Sequence, residues 1–141
     1  MKIAIRLAET TDIDIPVGAV IVRNDEIISI ASNKKEKDND VTSHAEIIAI
    51  REAEKLLNNW RLDECELYVT LEPCPMCAWA ILQSRIKSVY FGSYDTQYGA
   101  FGSKLNLPLY SSNKINIKGG IMEEECNNIL NKFFKKVRDD N

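Results

Sequence analysis

Two short segments of this chain carry the residue types that do chemistry: Thr42-Ser43-His44-Ala45-Glu46 and Glu72-Pro73-Cys74-Pro75-Met76-Cys77. Two cysteines in a C-x-x-C spacing can turn both sulfurs onto one cation. At a helix N-terminus, free N–H groups and the helix dipole also favour their thiolates. His44 is the only histidine, so any step that needs imidazole falls to it. Three protein ligands (His44, Cys74 and Cys77) leave a fourth position for water, the arrangement of a catalytic rather than a structural zinc site. Zinc brings the pKa of such a water down to roughly 7. Glu46, two residues beyond His44, is then the group to take a proton from that water and return it to a substrate. Nitrogen and sulfur donors suit zinc, and iron fits the same set.

Each residue also has a plainer reading. Ser43 to Glu46 fits a capping box, with Ser43 as N-cap and Glu46 at the third helical position, and taken alone this reading is the stronger. Cys74-Pro75-Met76-Cys77 fits a redox dithiol about as well as a metal site. A structural zinc module or an inactive partner subunit is a non-enzymatic alternative, against which an intact Glu46 weighs. Asn33 offers an amide that can read a base edge, although composition alone makes it a turn residue. Cys65 and Cys126 read as small buried apolar groups. Phe133 and Phe134 read first as core residues of the last helix, and one of them can stack on a base if the helix end borders the site. What favours the catalytic reading is the conjunction: both segments open a helix within one domain.

The elements that must position these residues follow from periodicity. Met1 to Thr10 is expected to be a short helix. Val17 to Val22 is a nearly unbroken apolar run, as in a strand covered on both faces. Asn24-Asp25 marks a hairpin turn and Ile27 to Ile30 the returning strand. Asn33 to Asp40 is a polar loop. A helix is expected over Ser43 to Leu57, a strand over Leu67 to Leu71, a helix over Pro75 to Gln83 with Pro75 in its first turn, and a strand over Ile86 to Phe91. Gly92 to Asn113 is a long connection, and Ile115 to Lys118 a short strand. Glu123 to Arg138 is the clearest helix: Cys126, Ile129, Leu130, Phe133, Phe134 and Val137 repeat at helical spacing, with acids in the first turn and bases in the last. Alternating strands and helices argue for an α/β protein with helices on both faces of a sheet. The opening hairpin makes that sheet mixed, and helical crossovers favour parallel neighbours among the later strands.

A chain of 141 residues, 45% hydrophobic, fits one domain with a substantial core. The net charge of −3, from 18 basic and 21 acidic side chains, does not announce a nucleic-acid binder, though a local basic face is compatible with it. No apolar run is long enough to cross a bilayer, and the opening Met1-Lys2-Ile3-Ala4-Ile5-Arg6 lacks the pattern of a secretory leader, so a cytoplasmic location is expected. In a reducing compartment the four cysteines are thiols or ligands rather than disulfides.

The pairing of His44-Ala45-Glu46 with Pro73-Cys74-Pro75-Met76-Cys77 resembles the H-x-E and P-C-x-x-C signature of zinc nucleobase deaminases. Over nearly its whole length the chain resembles one family among them, the bacterial tRNA adenosine deaminases of the TadA type. The matching residues are Pro16 to Val20, Asn33, Ser43 to Glu46, Leu67 to Cys77, Ser84-Arg85-Ile86 and Phe91-Gly92. They continue through Asp95, Gly99-Ala100, Gly102-Ser103, Glu125-Cys126, Leu130 and Phe133-Phe134. The segment from Asp95 to Ser103 and the Phe-Phe tail are the parts most particular to that family.

The resemblance implies a three-layer α/β/α cytidine-deaminase-like fold with a mixed central sheet, and residues 1–141 as a single zinc-dependent deaminase domain. It implies a homodimer with active sites near the subunit interface, and hydrolysis of the wobble adenosine of a tRNA anticodon to inosine. His44, Cys74 and Cys77 would hold one zinc per subunit and Glu46 would shuttle protons. Asn33 and the Ala45 backbone would contact the base, Asp95 would lie beside the RNA backbone, and Phe133 and Phe134 would complete the substrate contacts. Three features depart from the pattern. Trp79 stands where a small residue is common. Pro75-Met76 is similar to the bacterial guanine deaminases, which act on a free base, so guanine or cytidine-type small substrates are the alternative. The tail is only locally basic (Lys132, Lys135, Lys136, Arg138) before Asp139-Asp140.

Overall fold

Gly18–Arg23 and Glu26–Ser32 form β1 and β2, joined by Asn24-Asp25. Both turn residues take positive φ, 50° and 63°. A two-residue type I′ hairpin requires this left-handed pair, and Asn and Asp tolerate it. β3 spans Cys65–Leu71, β4 Ser88–Ser93 and β5 Asn116–Lys118. The computed structural model describes residues 1–140 and arranges these strands in the order β2-β1-β3-β4-β5. β1 runs antiparallel to both of its neighbours, while β3, β4 and β5 run parallel, so the sheet is mixed as expected.

The helices are α1 (Lys2–Ala8), α2 (Ala45–Leu57), α3 (Pro75–Gln83) and α4 (Glu123–Asp139). α1 and α4 cover one face and α2 and α3 the other, giving three layers. The crossover expectation holds for β3-α3-β4. It needs correcting elsewhere. α2 joins β2 and β3, which run the same way but with β1 between them. β4 and β5 are parallel with only a 3-10 helix, Leu107–Tyr110, between them. Four residues are too few to show a period, which hides that element in the sequence.

Small residues set the distances between layers. A Cβ placed on Gly18 would stand 1.9 Å from the Ala4 carbonyl oxygen and 2.8 Å from the Ala8 amide nitrogen, so the α1 backbone rests directly on β1. Ala45, Ala49 and Ala53 form a fully buried i, i+4 row by which α2 packs on the opposite face. Leu67, Val69, Val89 and Phe91 from the sheet and Ala78 and Ile81 from α3 complete that core.

The last helix departs from its expected role. Of its apolar stripe only Cys126 is fully buried, in the space left by Gly92, where a Cβ would lie 2.2 Å from the Cys126 sulfur. Phe134 and Val137 are each 42% exposed. The periodicity identified a helix correctly, but no element among the described residues covers its second half.

The seating of α1 on Gly18 has a measurable consequence. Gly18→Ala should lower stability by about 1–3 kcal/mol, because the new methyl meets immovable backbone. Urea unfolding followed by tryptophan fluorescence checks this, and an unchanged midpoint would show that α1 does not lean on the strand.

Candidate active site

The site lies along one edge of the sheet, where β1 begins and where β2, β3 and β4 end. Crevices outside the carboxyl ends of strands are the usual ligand sites of open α/β sheets. His44 is the N-cap of α2 and Cys74 the N-cap of α3, both in extended conformation, and neither side chain makes a capping hydrogen bond. An N-cap side chain ordinarily folds back onto the first-turn N–H groups. Here the imidazole and the thiol point at one another instead, 3.7 Å apart from Nδ1 to Sγ. Cys77, in the first turn of α3 and fully buried, brings its Sγ to 3.4 Å from the same nitrogen. The capping box does not form: His44, not Ser43, is the cap, and Glu46 is the second helical residue.

His44, Cys74 and Cys77 form a group whose ligand atoms all lie within 4.8 Å of one another. Bonds of about 2.3 Å to sulfur and 2.0–2.1 Å to nitrogen, at a tetrahedral angle, put sulfur and nitrogen roughly 3.6 Å apart. The observed spacings match, so the donor set fits a small tetrahedral cation bound through Nδ1. The protons in the cluster are already shared. The hydrogen bond from the Cys77 thiol brings Cys74 down to about 4. Cys77 is pushed strongly up by that same bond and by burial. The Cys74 sulfur raises His44. A cation entering such a cluster displaces protons and gains ligands held in place.

Glu46 is buried, 4% exposed, beside this cluster. Burial pushes its carboxyl up to about 7, helped by the charge of Cys74 and opposed by its own backbone N–H, by His44 and by Cys77. A carboxyl in that range both gives and takes protons near neutral pH. A cavity of about 360 Å³ opens in front of it. This volume falls within the range of small-molecule sites.

The structure brings most of the sequence-derived residues to this cavity. His44, Ala45, Glu46, Cys74, Asn33 and Asp95 all line it. Asn33 combines its two readings: its Nδ2 donates to the Ile15 carbonyl at 3.1 Å and its Oδ1 accepts from the Lys35 N–H at 3.3 Å, so it is a turn residue whose amide is fixed at the cavity wall. The Asp95 Oδ1 accepts from the N–H groups of Gln97 and Tyr98, each at 3.0 Å. Phe133 and Phe134 are not brought to the cavity; their rings pack edge to face on α4, 5.4 Å apart. Trp79 is 40% exposed on α3.

Sequence reasoning missed two carboxylates that hold the loops of the site. Asp14, 4% exposed, accepts from the N–H groups of Glu36 at 2.6 Å and Lys37 at 3.2 Å, fastening the loop that carries Asn33 and Lys35. Glu72, 2% exposed, does the same for the loop after β4. Lys35 and Tyr98 on these loops also line the cavity. For Glu72 a signal existed, a carboxylate directly before Pro73-Cys74. For Asp14 there was none, since its partners are backbone groups 22 and 23 residues away.

Comparison with known proteins agrees with this geometry. The family model for MafB19-like deaminases matches residues 1–138. The chain belongs to the MafB19-like deaminase family. Among its deaminase relatives, a protein of Bacillus subtilis (strain 168) named tRNA-specific adenosine deaminase is 42% identical over 142 residues, covering 98% of this chain and 88% of the relative. A structure from a study of A-to-I editing by tRNA:A34 deaminases at the wobble position superimposes with a TM-score of 0.90. It is 37% identical, and the match covers 92% of this chain and 97% of the other. A guanine deaminase from Bacillus subtilis is 40% identical but superimposes less well, with a TM-score of 0.65, over 80% of this chain and 74% of the other. The fold is thus the cytidine-deaminase-like fold, and this deaminase carries a His-Cys-Cys group able to hold a metal ion.

The ligand geometry can be tested by substitution. Cys74→Ser should lose the bound metal and melt well below the parent, because the ion ties the starts of two helices together. Metal analysis with a thermal scan checks both, and an unchanged metal content per chain would remove Cys74 from the ligand set.

Proposed function

We propose that this protein deaminates adenosine to inosine at the wobble position of a tRNA anticodon, as a single zinc-dependent domain spanning residues 1–141. The observation that carries the reading is a buried Glu46 beside the converging His44, Cys74 and Cys77, at the wall of a cavity. The chain around this site is 42% identical to a tRNA-specific adenosine deaminase over 98% of its length.

A zinc ion on His44 Nδ1 and the two sulfurs would supply a water acidified to a pKa of roughly 7. The remaining work belongs to the chain. Glu46 accepts a proton from the attacking water and delivers it to ring nitrogen N1 of adenine. It then helps the amine at C6 leave as ammonia, so that adenosine and water give inosine and ammonia. Ala45, the first residue of α2, has an N–H with no carbonyl four residues back to bond it, which frees that group for the base. Asn33, held by Ile15 and by the Lys35 backbone, presents its remaining amide N–H to the base edge. Ile15, Val17 and Leu71 give the cavity apolar walls that shed water around the ring. Asp95 lines the cavity, and in this reading it would lie beside the RNA backbone. Phe133 and Phe134 stand apart from the cavity, so the base being converted is held without them. A base in an anticodon loop is single-stranded and costs less to turn out than one in a duplex.

The protein acts as a homodimer in the cytoplasm. Trp79 on α3 and Leu109 and Tyr110 on the adjoining 3-10 helix are 40%, 76% and 78% exposed, an apolar patch of the kind that a second copy covers. Sedimentation should give twice the chain mass of 16.0 kDa, and a monomer at micromolar concentration would contradict this part. Among the described residues no helix is long and apolar enough to cross a membrane.

The activity is tested with a tRNA transcript bearing adenosine at the first anticodon position, free guanine being assayed in parallel. Inosine should accumulate at that position with the parent protein. Glu46→Ala should retain its metal and lose at least a hundredfold in rate, the lower end of what a positioned acid–base group contributes. Conversion of free guanine without conversion of the tRNA would transfer the site to small substrates.

A further inference from the structure

Glu72 accepts more side-chain hydrogen bonds than any other acid among the described residues. It is 2% exposed, it sits at the end of β3 two residues before a metal-binding cysteine, and its two oxygens face four donors. Oε1 accepts from the Asp95 N–H at 3.2 Å and from the Ser103 hydroxyl. Oε2 accepts from the N–H groups of Phe101 and Ser103, each at 3.1 Å. The contact has no slack: a Cβ on Gly99 would stand 2.4 Å from the Glu72 carboxyl carbon. A second tie lies alongside, where the Ala100 N–H donates to the Pro73 carbonyl at 2.9 Å. The loop so fastened carries Asp95 and Tyr98, both at the cavity wall.

We propose that Glu72 is a positioning residue for substrate binding, its carboxylate clamping residues 95–103 to the segment that carries Cys74 and Cys77 and so fixing Asp95 and Tyr98 at the cavity. Hydrogen-bond inventory supports this. Four donors converge on two oxygens, a demand met by an acceptor-only carboxylate. An amide in its place meets three of the four. With its oxygen toward Phe101 and Ser103, its NH2 can donate to the Ser103 hydroxyl, but it then confronts the Asp95 N–H, donor against donor. Glu72→Gln therefore releases the clamp at the end that bears Asp95 and leaves the other end closed. The inference rests on the deaminase reading for its substrate, while its structural half is measurable without one.

The experiment compares the parent, Glu72→Gln and Gly99→Ala, with bound metal, amide hydrogen exchange and steady-state kinetics on the tRNA transcript measured for each. Gly99→Ala pushes the loop off the carboxylate from the other side and serves if the first variant folds poorly. The expected result is one ion per chain in both, faster exchange confined to residues 95–103, and KM for the tRNA raised about tenfold with kcat held. This is the pattern of lost binding common to ground and transition states, at the size of roughly one hydrogen bond. Exchange identical to the parent overturns the clamp whether or not the protein acts on tRNA. A fall in kcat and metal content with KM unchanged also overturns it, because that is what a purely structural carboxylate would give. If the parent converts no adenosine, the proposed activity fails, and the exchange data still decide the clamp.

Discussion

The structure depends on the approach of two helix N-termini whose caps are not used as caps. His44 and Cys74 forgo the hydrogen bonds that would seal α2 and α3, and turn their side chains toward one another instead. Left alone, this arrangement is costly: unsealed first turns and a crowded cluster of imidazole, a thiolate at Cys74, a thiol at Cys77 and a buried carboxyl. A cation held by His44, Cys74 and Cys77 would remove much of that cost by replacing protons with bonds. The rest of the fold serves to hold the approach. The Ala45-Ala49-Ala53 row seats α2 close on the sheet, and β3 delivers Cys74 within three residues of its last ladder position.

Around this centre the protein uses buried carboxylates as fasteners. Asp14 and Glu72 each accept backbone N–H groups from a loop distant in sequence, and each of those loops contributes to the cavity wall. Irregular loops have no ladder to satisfy their backbone groups, so a buried charge that gathers several N–H groups rigidifies them at a single point. Three buried carboxyls near one site thus do different things. Two bind loops, and Glu46 is left with a carboxyl raised toward neutrality chiefly by its burial.

Much of this was legible in the chain itself. The hairpin, the sheet class and the convergence of His44, Cys74 and Cys77 follow from short local patterns, because donor groups and turn residues are local demands that short motifs record. The burial of the last helix was not legible. Cys126, Ile129, Leu130, Phe133 and Val137 repeat as a core-facing stripe would, yet whether a stripe is covered depends on what lies across from it, which periodicity does not contain. The Ser43–Glu46 capping box was misleading for a related reason: a helix start with the right letters was shifted by one residue once His44 had a better use. Asp14 could not be read at all, since a side chain that bonds only to backbone leaves no trace in the identity of its partners.

The central claim is that one ion bridges two helix starts through one nitrogen and two sulfurs. X-ray absorption at the metal edge of the purified protein tests it most directly. The account requires zinc with two sulfur neighbours at about 2.3 Å and the remaining light-atom neighbours at about 2.0–2.1 Å. A shell of three or four sulfurs would draw in Cys65 or Cys126, which the fold buries away from the site, and a shell without sulfur would leave Cys74 and Cys77 as a dithiol; either result would contradict the account.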